Sequence, residues 1–574
     1  MTQKKKELKA KVKKFNDGLS FKLYSHFDRP YSLYYRISLG NKKFKIVEKS
    51  QDVIKAKREK ILSILNDKEE IIKHSFYPFI AYDIVERHNS KINKMKYDKQ
   101  YYEKKIEETT GTEEIQKLKI ELNNSQTGGI KKPRPIRYSA HFDGFIYSYY
   151  AKQLAELYEK KVQKYEIENE VLAYRKTPDD ESSHRHDNAN MAKEVFDEIR
   201  KRKNNCVALA FDIKGFFDCI DHKKLKQEWI NVLKESDKFT AEDLDDLNNG
   251  NLPKDHYNIY KSLTNYCYVD MQDLCVYFKK YKKEKCSKDC GKCKRPKLPK
   301  LMFEEANDFH VFRKWAKAES KDKHVVLKKN KGLFKDEKEI NGRNYVDPFG
   351  IPQGSPMSAL LSNIYMLPFD KEMKELADRI NGHYRRYCDD IMFICLPEYK
   401  NEVNKTIRDA IKSRGEHLII HPIIDGYKYS KSQCYDFTDK NIKKQPLQYL
   451  GFEFDGEKTK IRKSSLARYY RKSKRAVIAT YINARKRLIF LYKNNGLVIQ
   501  EKHKKLYRED LYRKYTHIGK RNFIYYAKRS FNSIKDEAIQ AQIKTHFERI
   551  NKLIEFYDKK IEKTCMLLEK SKRK

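Results

Sequence analysis

Two aspartates side by side, Asp389 and Asp390, lie between short apolar runs in the stretch His383-Tyr-Arg-Arg-Tyr-Cys-Asp-Asp-Ile-Met-Phe-Ile394. Such a pattern reads as strand, turn, strand. Neighbouring carboxylates repel and raise a pKa unless a cation sits between them. An Asp-Asp pair in an exposed hairpin turn would need no cation. The aromatic before the pair and the apolar strands on both sides weigh against so plain a turn.

Two more segments carry the same kind of signal. Val207-Ala-Leu-Ala-Phe-Asp212 reads as a buried strand that ends on an acid, and Gly215 lets the chain turn before Phe216-Phe217-Asp218. A buried carboxylate at a strand end is costly unless it is paired or binds metal; a turn or helix-cap aspartate is the other reading. Gly350-Ile-Pro-Gln353-Gly-Ser-Pro-Met-Ser358 marks a tight loop that opens a helix. Its backbone N–H groups can approach a nucleotide, or it is simply a loop before a helix. Asp212 and the Asp389/Asp390 pair together supply hard oxygen ligands for two divalent ions, and Mg²⁺ is the ion such ligands suit.

The 574 residues carry a formal net charge of +43, spread along the chain, which favours a polyanion such as nucleic acid as partner. No apolar run is long enough to span a membrane, and the Lys-rich start lacks the apolar core of a secretory signal. Eleven scattered cysteines fit a reducing cytoplasm better than a disulfide framework. The expected organisation is an α+β chain in three parts. Residues 1–130 form a basic extension and the start of the next unit. Residues 131–456 alternate strands and helices, with a Lys- and Cys-rich insertion at 223–345. Residues 457–574 are helical and basic. In the last part Leu466, Tyr470, Val477, Tyr481, Ala484, Leu488 and Leu491 mark one helix face, with Ser464 as its N-cap.

The segments FDIKGFFD, GIPQGSPMS and YCDD, in that order, resemble motifs A, B and C of reverse transcriptases. Tyr449 to Phe454 (YLGFEF) resembles the turn that grips the primer, and Lys132 to Leu154 with Ala173 to Arg175 resembles the fingers motifs. The resemblance implies a right-hand polymerase fold with fingers, palm and an α-helical thumb-like C-terminal domain. It implies two Mg²⁺ ions held by Asp212 and Asp389, with Asp390 completing the acidic pair. Gln353 matches the residue lining the incoming nucleotide, and Arg175 matches a fingers arginine that meets the triphosphate. Lys431 matches a motif D lysine that protonates pyrophosphate, or is a surface lysine. Phe217 falls at the sugar gate, where a bulky ring excludes a 2′-hydroxyl; a core phenylalanine is the other reading.

SAHFDGFIYSYYAKQL, VLAYRK and RKSSLARYYRKSKR look similar to bacterial defence-associated reverse transcriptases of the abortive-infection and unknown-group branch. That branch implies antiphage defence in the bacterial cytoplasm. It also implies a non-coding RNA template or partly untemplated synthesis, a DNA product made from deoxynucleotides, and in some members a homo-oligomer. An RNA-dependent RNA polymerase is a second reading; Tyr387-Cys388 and Phe217 argue against it. A catalytically silent RNA-binding scaffold is a third, and the presence of all three acids argues against that. Cys286, Cys290 and Cys293 lie at C-x₃-C-x₂-C spacing and are candidate ligands of a structural Zn²⁺, with a fourth from Cys275, Cys267 or His310; an unliganded basic loop is the alternative.

Overall fold

The computed structural model describes residues 61–84, 134–175, 187–202, 205–271, 349–423, 430–438, 446–495 and 498–572, with shorter pieces between 34 and 122 and at 328–329. The candidate zinc cysteines Cys286, Cys290 and Cys293 lie outside the described residues.

The central sheet is built on Val207–Lys214, which is apolar along most of its length because both of its faces are covered. One edge pairs antiparallel with Asp390–Cys395, which in turn pairs antiparallel with His383–Tyr387. The other edge is shared by Gln433–Asp436 and Ile419–Ile420. Side chains alternate between the two faces with a period of two. Val207, Leu209, Phe211 and Ile213 join the larger core, together with the helices His141–Lys164, His222–Leu233, Ser358–Arg379 and Lys400–Arg414. Ala208, Met392 and Ile394 face a second core, built with the helix Asn188–Lys201 and a three-stranded sheet, Leu447–Tyr449, Phe452–Phe454 and Thr459–Ile461.

A second mixed sheet runs in the order Arg134–Tyr138, Phe79–Ile84, Cys267–Asp270, Lys328–Lys329. Residues before 131 therefore reach well into the folded body: Ile61, Leu65, Ile71 and Phe79 belong to the larger core. The segment 223–345 also differs from the expected insertion. Its first part forms the helices His222–Leu233, Ala241–Asn248 and Lys254–Thr264. Leu225, Trp229, Leu247, Ile259 and Leu263 from these helices are buried in the same core as the central strand, and Cys267–Asp270 pairs in parallel with Phe79–Ile84. Of this segment's lysines, Lys223, Lys254 and Lys261 sit exposed on these helices, and most of the others lie outside the described residues.

The C-terminal part is helical, as the periodicity requires. Lys463–Asn495 packs on His546–Lys572, with Val477 and Leu488 buried against Ile550, Ile554 and Ile561. Leu466 and Tyr470 lie on the second core instead, so one helix serves two cores. The helix begins at Lys463, which puts Ser464 inside its first turn and not at the cap. Among the described residues no helix is long and apolar enough to cross a membrane.

Candidate active site

The register of the central sheet decides which acids meet. Asp212 lies directly across from Asp390, as Ala210 lies across from Met392 and Ala208 from Ile394. Cross-strand partners share a face, so these six residues form two parallel rows. The rows are apolar where the second core covers them and acidic where the cover ends. Like charges directly opposed on a sheet are destabilising, so folding does not by itself explain this pairing.

Asp389 sits in the two-residue turn between His383–Tyr387 and Asp390–Cys395. The turn needs a left-handed residue, and Cys388 takes that conformation with φ 60°. Cys388 is buried, and its carbonyl accepts from Arg386 Nη1 at 3.0 Å. Ile213 N donates to Asp389 O at 3.4 Å, which ties the turn to the central strand. Burial, then the charge of Asp212, raises the Asp389 carboxyl above the usual carboxylate range. Crowding by surrounding protein, then Asp389 and Asp212, pushes the Asp390 carboxyl up to about 7. Asp390 keeps an exposed face, where water offsets part of the crowding and the charges of Asp389 and Asp212 still act on it.

Asp212 has a cationic neighbour. Lys431 Nζ lies 2.7 Å from its Oδ2, and His421 Nε2 lies 3.4 Å from the same atom. Asp212 N donates to the fully buried Ser432 hydroxyl at 3.1 Å. Lys431 therefore stands at the acids, with Asp212 as its first partner. Among the described residues no three acid, histidine or cysteine side chains converge as a finished metal cage.

The loop Gly350–Ser358 is sewn to the end of the Asp212 segment. Ile351 N donates to Phe217 O at 2.9 Å, and Gly350 N donates to Ile220 O at 2.8 Å. Gly350 has φ +88°, and a Cβ there would fall 2.9 Å from Asp218 O, so only glycine fits. The other side of the loop meets the second sheet, where Arg137 N donates to Gln353 O at 2.7 Å. A Cβ on Gly354 would press on Arg137 O at 3.0 Å. Gln353 Oε1 and Arg137 Nε are both buried without a hydrogen-bond partner, and the Arg137 guanidinium lies 4.1 Å from the Tyr268 ring centroid. Buried polar atoms are rarely left orphaned, and these two occupy segments joined by a backbone hydrogen bond. Phe217 is half-buried, its ring tilted against Phe216 at 5.6 Å.

Arg175 is the exception among the expected residues. Its side chain is 5% exposed, and its guanidinium is held by Glu159 at 2.7 Å and by the carbonyls of Val171 and Glu168. It braces the end of its own segment against the helix His141–Lys164, and its donors are committed there. The short motif AYR matched because of its position in the chain; the partner sixteen residues earlier was not part of the match.

Three residues matter here that sequence reasoning passed over. Arg386 is fully buried and bidentate to Asp370 at 2.6 Å, with Nη1 3.2 Å from Asn363 Oδ1. Asn363 in turn donates to Ala173 O at 2.8 Å. The charged pair Arg385-Arg386 in a strand whose alternate residues, Tyr384 and Arg386, face the core was the available signal, since a buried arginine requires a partner. Tyr174 adopts φ 61° and exposes 53% of its surface, with its ring 6.3 Å from that of Tyr387. Arg137, described above, is the third.

No family model matches the chain, and no curated protein does. Matching solved structures include apo telomerase from Candida tropicalis truncated from its C-terminal domain, 10% identical with TM-score 0.29. That match covers 57% of this chain and 52% of the telomerase, so the chain spans about half the length of that protein. Telomerase from Candida albicans in complex with a TWJ fragment of telomeric RNA is 11% identical with TM-score 0.34, over 93% of this chain and 73% of that one. Candida tropicalis telomerase with a TWJ fragment is 12% identical with TM-score 0.25, over 77% and 62%. Each likeness is loose.

Proposed function

We propose that this chain is an RNA-directed DNA polymerase that extends a primer end with deoxynucleotides by two-metal nucleotidyl transfer. The observation that carries this reading is the register of Asp212 against Asp390, with Asp389 in the adjoining turn. The motif order in the sequence agrees with it. Under this reading the central sheet is the palm, the mixed sheet the fingers and the C-terminal helices a thumb-like domain. The template is a non-coding RNA or is partly dispensed with, and the setting is bacterial antiphage defence; both follow from the sequence resemblance.

The residues present fit magnesium. The donors are hard carboxylate oxygens, they repel one another without a cation, and Lys431 supplies a cation to Asp212. Magnesium needs no all-protein cage, since it takes one or two carboxylates and keeps waters and substrate phosphates. Asp212 and Asp389 would hold it, with Asp390 beside them, and when bound it would activate a primer hydroxyl and neutralise the departing pyrophosphate. Gln353 and Phe217 would line the nucleotide side, and Lys431, 2.7 Å from Asp212, would give a proton to the leaving group once Asp212 is otherwise neutralised. Arg137 replaces Arg175 as the fingers cation with a donor to spare.

Asp390, pushed up to about 7 with Asp389 and Asp212 beside it, would give up its proton more readily once a divalent ion sat among these acids. A carboxyl raised above its ordinary value near 4 favours the folded state while protonated. That contribution is lost as pH rises through 7, and the repulsion among the ionised acids that follows is what bound magnesium would offset. The rise in melting temperature on adding Mg²⁺ is therefore expected to be larger at pH 8 than at pH 6, and absent from the Asp389→Asn, Asp390→Asn double variant. An equal rise at both pH values, or in the variant, would remove magnesium from these acids.

Phe217→Ala is expected to relax sugar discrimination by at least about tenfold, the lower end of what a lost steric contact in a pocket is worth. The check is incorporation of ribonucleotides against deoxynucleotides. An unchanged ratio would return Phe217 to the core.

A further inference from the structure

A pocket lies at the root of the C-terminal helices, beside the turn at residues 449–454 that resembles the primer grip. A cavity of about 720 Å³ opens between the turn at Gly451, the start of Lys463–Asn495 and the loop joining Glu509–Tyr515 to Phe523–Ile534. Its rim carries Arg468, Lys472, Arg513, Lys514, Lys520 and Arg521, and no carboxylate lines it. Asp510 pairs with Arg513 and, at 3.9 Å, with Lys514. Among the described residues the other four cations have no acid partner, and all four are exposed. The back wall is aromatic: the rings of Tyr469 and Phe523 stack at 4.8 Å, beside Tyr515 and Tyr526.

The loop is tightly built. A Cβ on Gly519 would fall 1.7 Å from Arg513 O, so the chain passes there only as glycine. The Asn522 amide donates to the carbonyls of Arg513, Thr516 and Gly519 at 2.8 to 3.0 Å. Its Oδ1 accepts from Tyr525 N and caps the following helix. Arg521 is held at φ 59°, a costly conformation for a residue with a side chain. Four cations without an acid partner gathered around one cavity repel each other, and a polyanion relieves that repulsion.

We propose that this pocket binds single-stranded nucleic acid, with backbone phosphates on the cationic rim and bases against the aromatic wall. A duplex turns its bases inward and offers nothing to that wall. An acidic peptide satisfies the rim and leaves the wall unused. The inference rests on the proposed function in taking a polynucleotide as partner and in lying beside the turn read as the primer grip, and its test reads binding, not synthesis.

The test is fluorescence anisotropy on the full chain without divalent ions, using labelled oligouridine RNA, oligothymidine DNA, a blunt DNA duplex and polyglutamate. The pocket variant is Arg468→Gln, Lys472→Gln, Lys520→Gln and Arg521→Asn, asparagine being tolerant of positive φ. The control removes the same charge elsewhere: Lys405, Lys559, Lys563 and Lys570, all exposed, to Gln. An unchanged melting temperature shows that each variant folds. The pocket variant is expected to lose at least about tenfold in single-strand affinity, and its salt slope to fall by about 0.7 for each cation that met a phosphate. The control is expected to lose far less. Loss with RNA alone assigns the pocket to an RNA partner, loss with DNA alone to a product strand, and loss with both to backbone recognition. Equal losses in pocket variant and control would overturn the proposal, as would pocket-dependent binding of duplex or polyglutamate as tight as that of single strands. A chain that binds through the pocket yet incorporates no nucleotide would defeat the polymerase reading and leave this one standing.

Discussion

Asp389→Ala combined with Asp390→Ala is expected to abolish nucleotide incorporation while the protein stays folded. A metal ion contributes several kcal/mol of charge stabilisation at a transferring phosphoryl group. Since each ~1.4 kcal/mol is tenfold in rate, removing the donors should cost about 1,000-fold or more. The fold should tolerate the change, because these side chains oppose folding: Asp390 faces Asp212 across the sheet, and burial and like charge raise the Asp389 and Asp390 carboxyls. The melting temperature without metal should hold or rise. A variant that incorporates normally puts the chemistry elsewhere. A variant that unfolds shows that the acids are structural.

Arg386→Met is expected to cost about 3–5 kcal/mol of stability, because it strands Asp370 as an unpaired buried charge. Arg386 and Asp370 are both fully buried, and Tyr384 adds a hydrogen bond to Asp370 at 2.7 Å. The same arginine holds the Cys388 carbonyl at the base of the acidic turn and joins the turn to Asn363, and through it to Ala173. Two consequences separate its roles. Adding Asp370→Leu to Arg386→Met removes the stranded charge and should restore most of the stability. Synthesis should remain depressed in that double variant, because the Cys388 carbonyl still lacks its donor and Asp389 is no longer fixed. Denaturant melts and incorporation assays on both variants check this. A single variant that loses less than about 1 kcal/mol would mean that water reaches Asp370.

The parts of the site that sequence made legible are those with local, periodic causes. Apolar runs ending on Asp212 and flanking Asp389 and Asp390 are strands because their alternation and burial demand it, and the glycines of GIPQG stand where a Cβ would strike Asp218 or Arg137. What stayed hidden depends on contacts between distant segments. Nothing near Arg175 announces Glu159, and nothing near Lys431 announces that it reaches Asp212. The segment after Asp218 looked like an insertion because lysines and cysteines crowd its composition, while Trp229, Ile259 and Leu263 on the inward helix faces enter the main core. The pocket at Gly451 joins residues from three separate stretches, and each alone is an ordinary basic helix or loop.

The central claim is that three carboxylates on one sheet carry magnesium-dependent DNA synthesis. The most direct test uses the full chain purified with whatever RNA accompanies it. It is given Mg²⁺ and labelled deoxynucleotides, singly and together, beside the Asp389→Ala, Asp390→Ala variant, and any product is sequenced. The account predicts DNA from the wild type only, lost when magnesium is chelated, with a sequence that reads back to a bound RNA or shows untemplated addition. Product from the variant, or none from a wild type that retains its RNA and its fold, would contradict it.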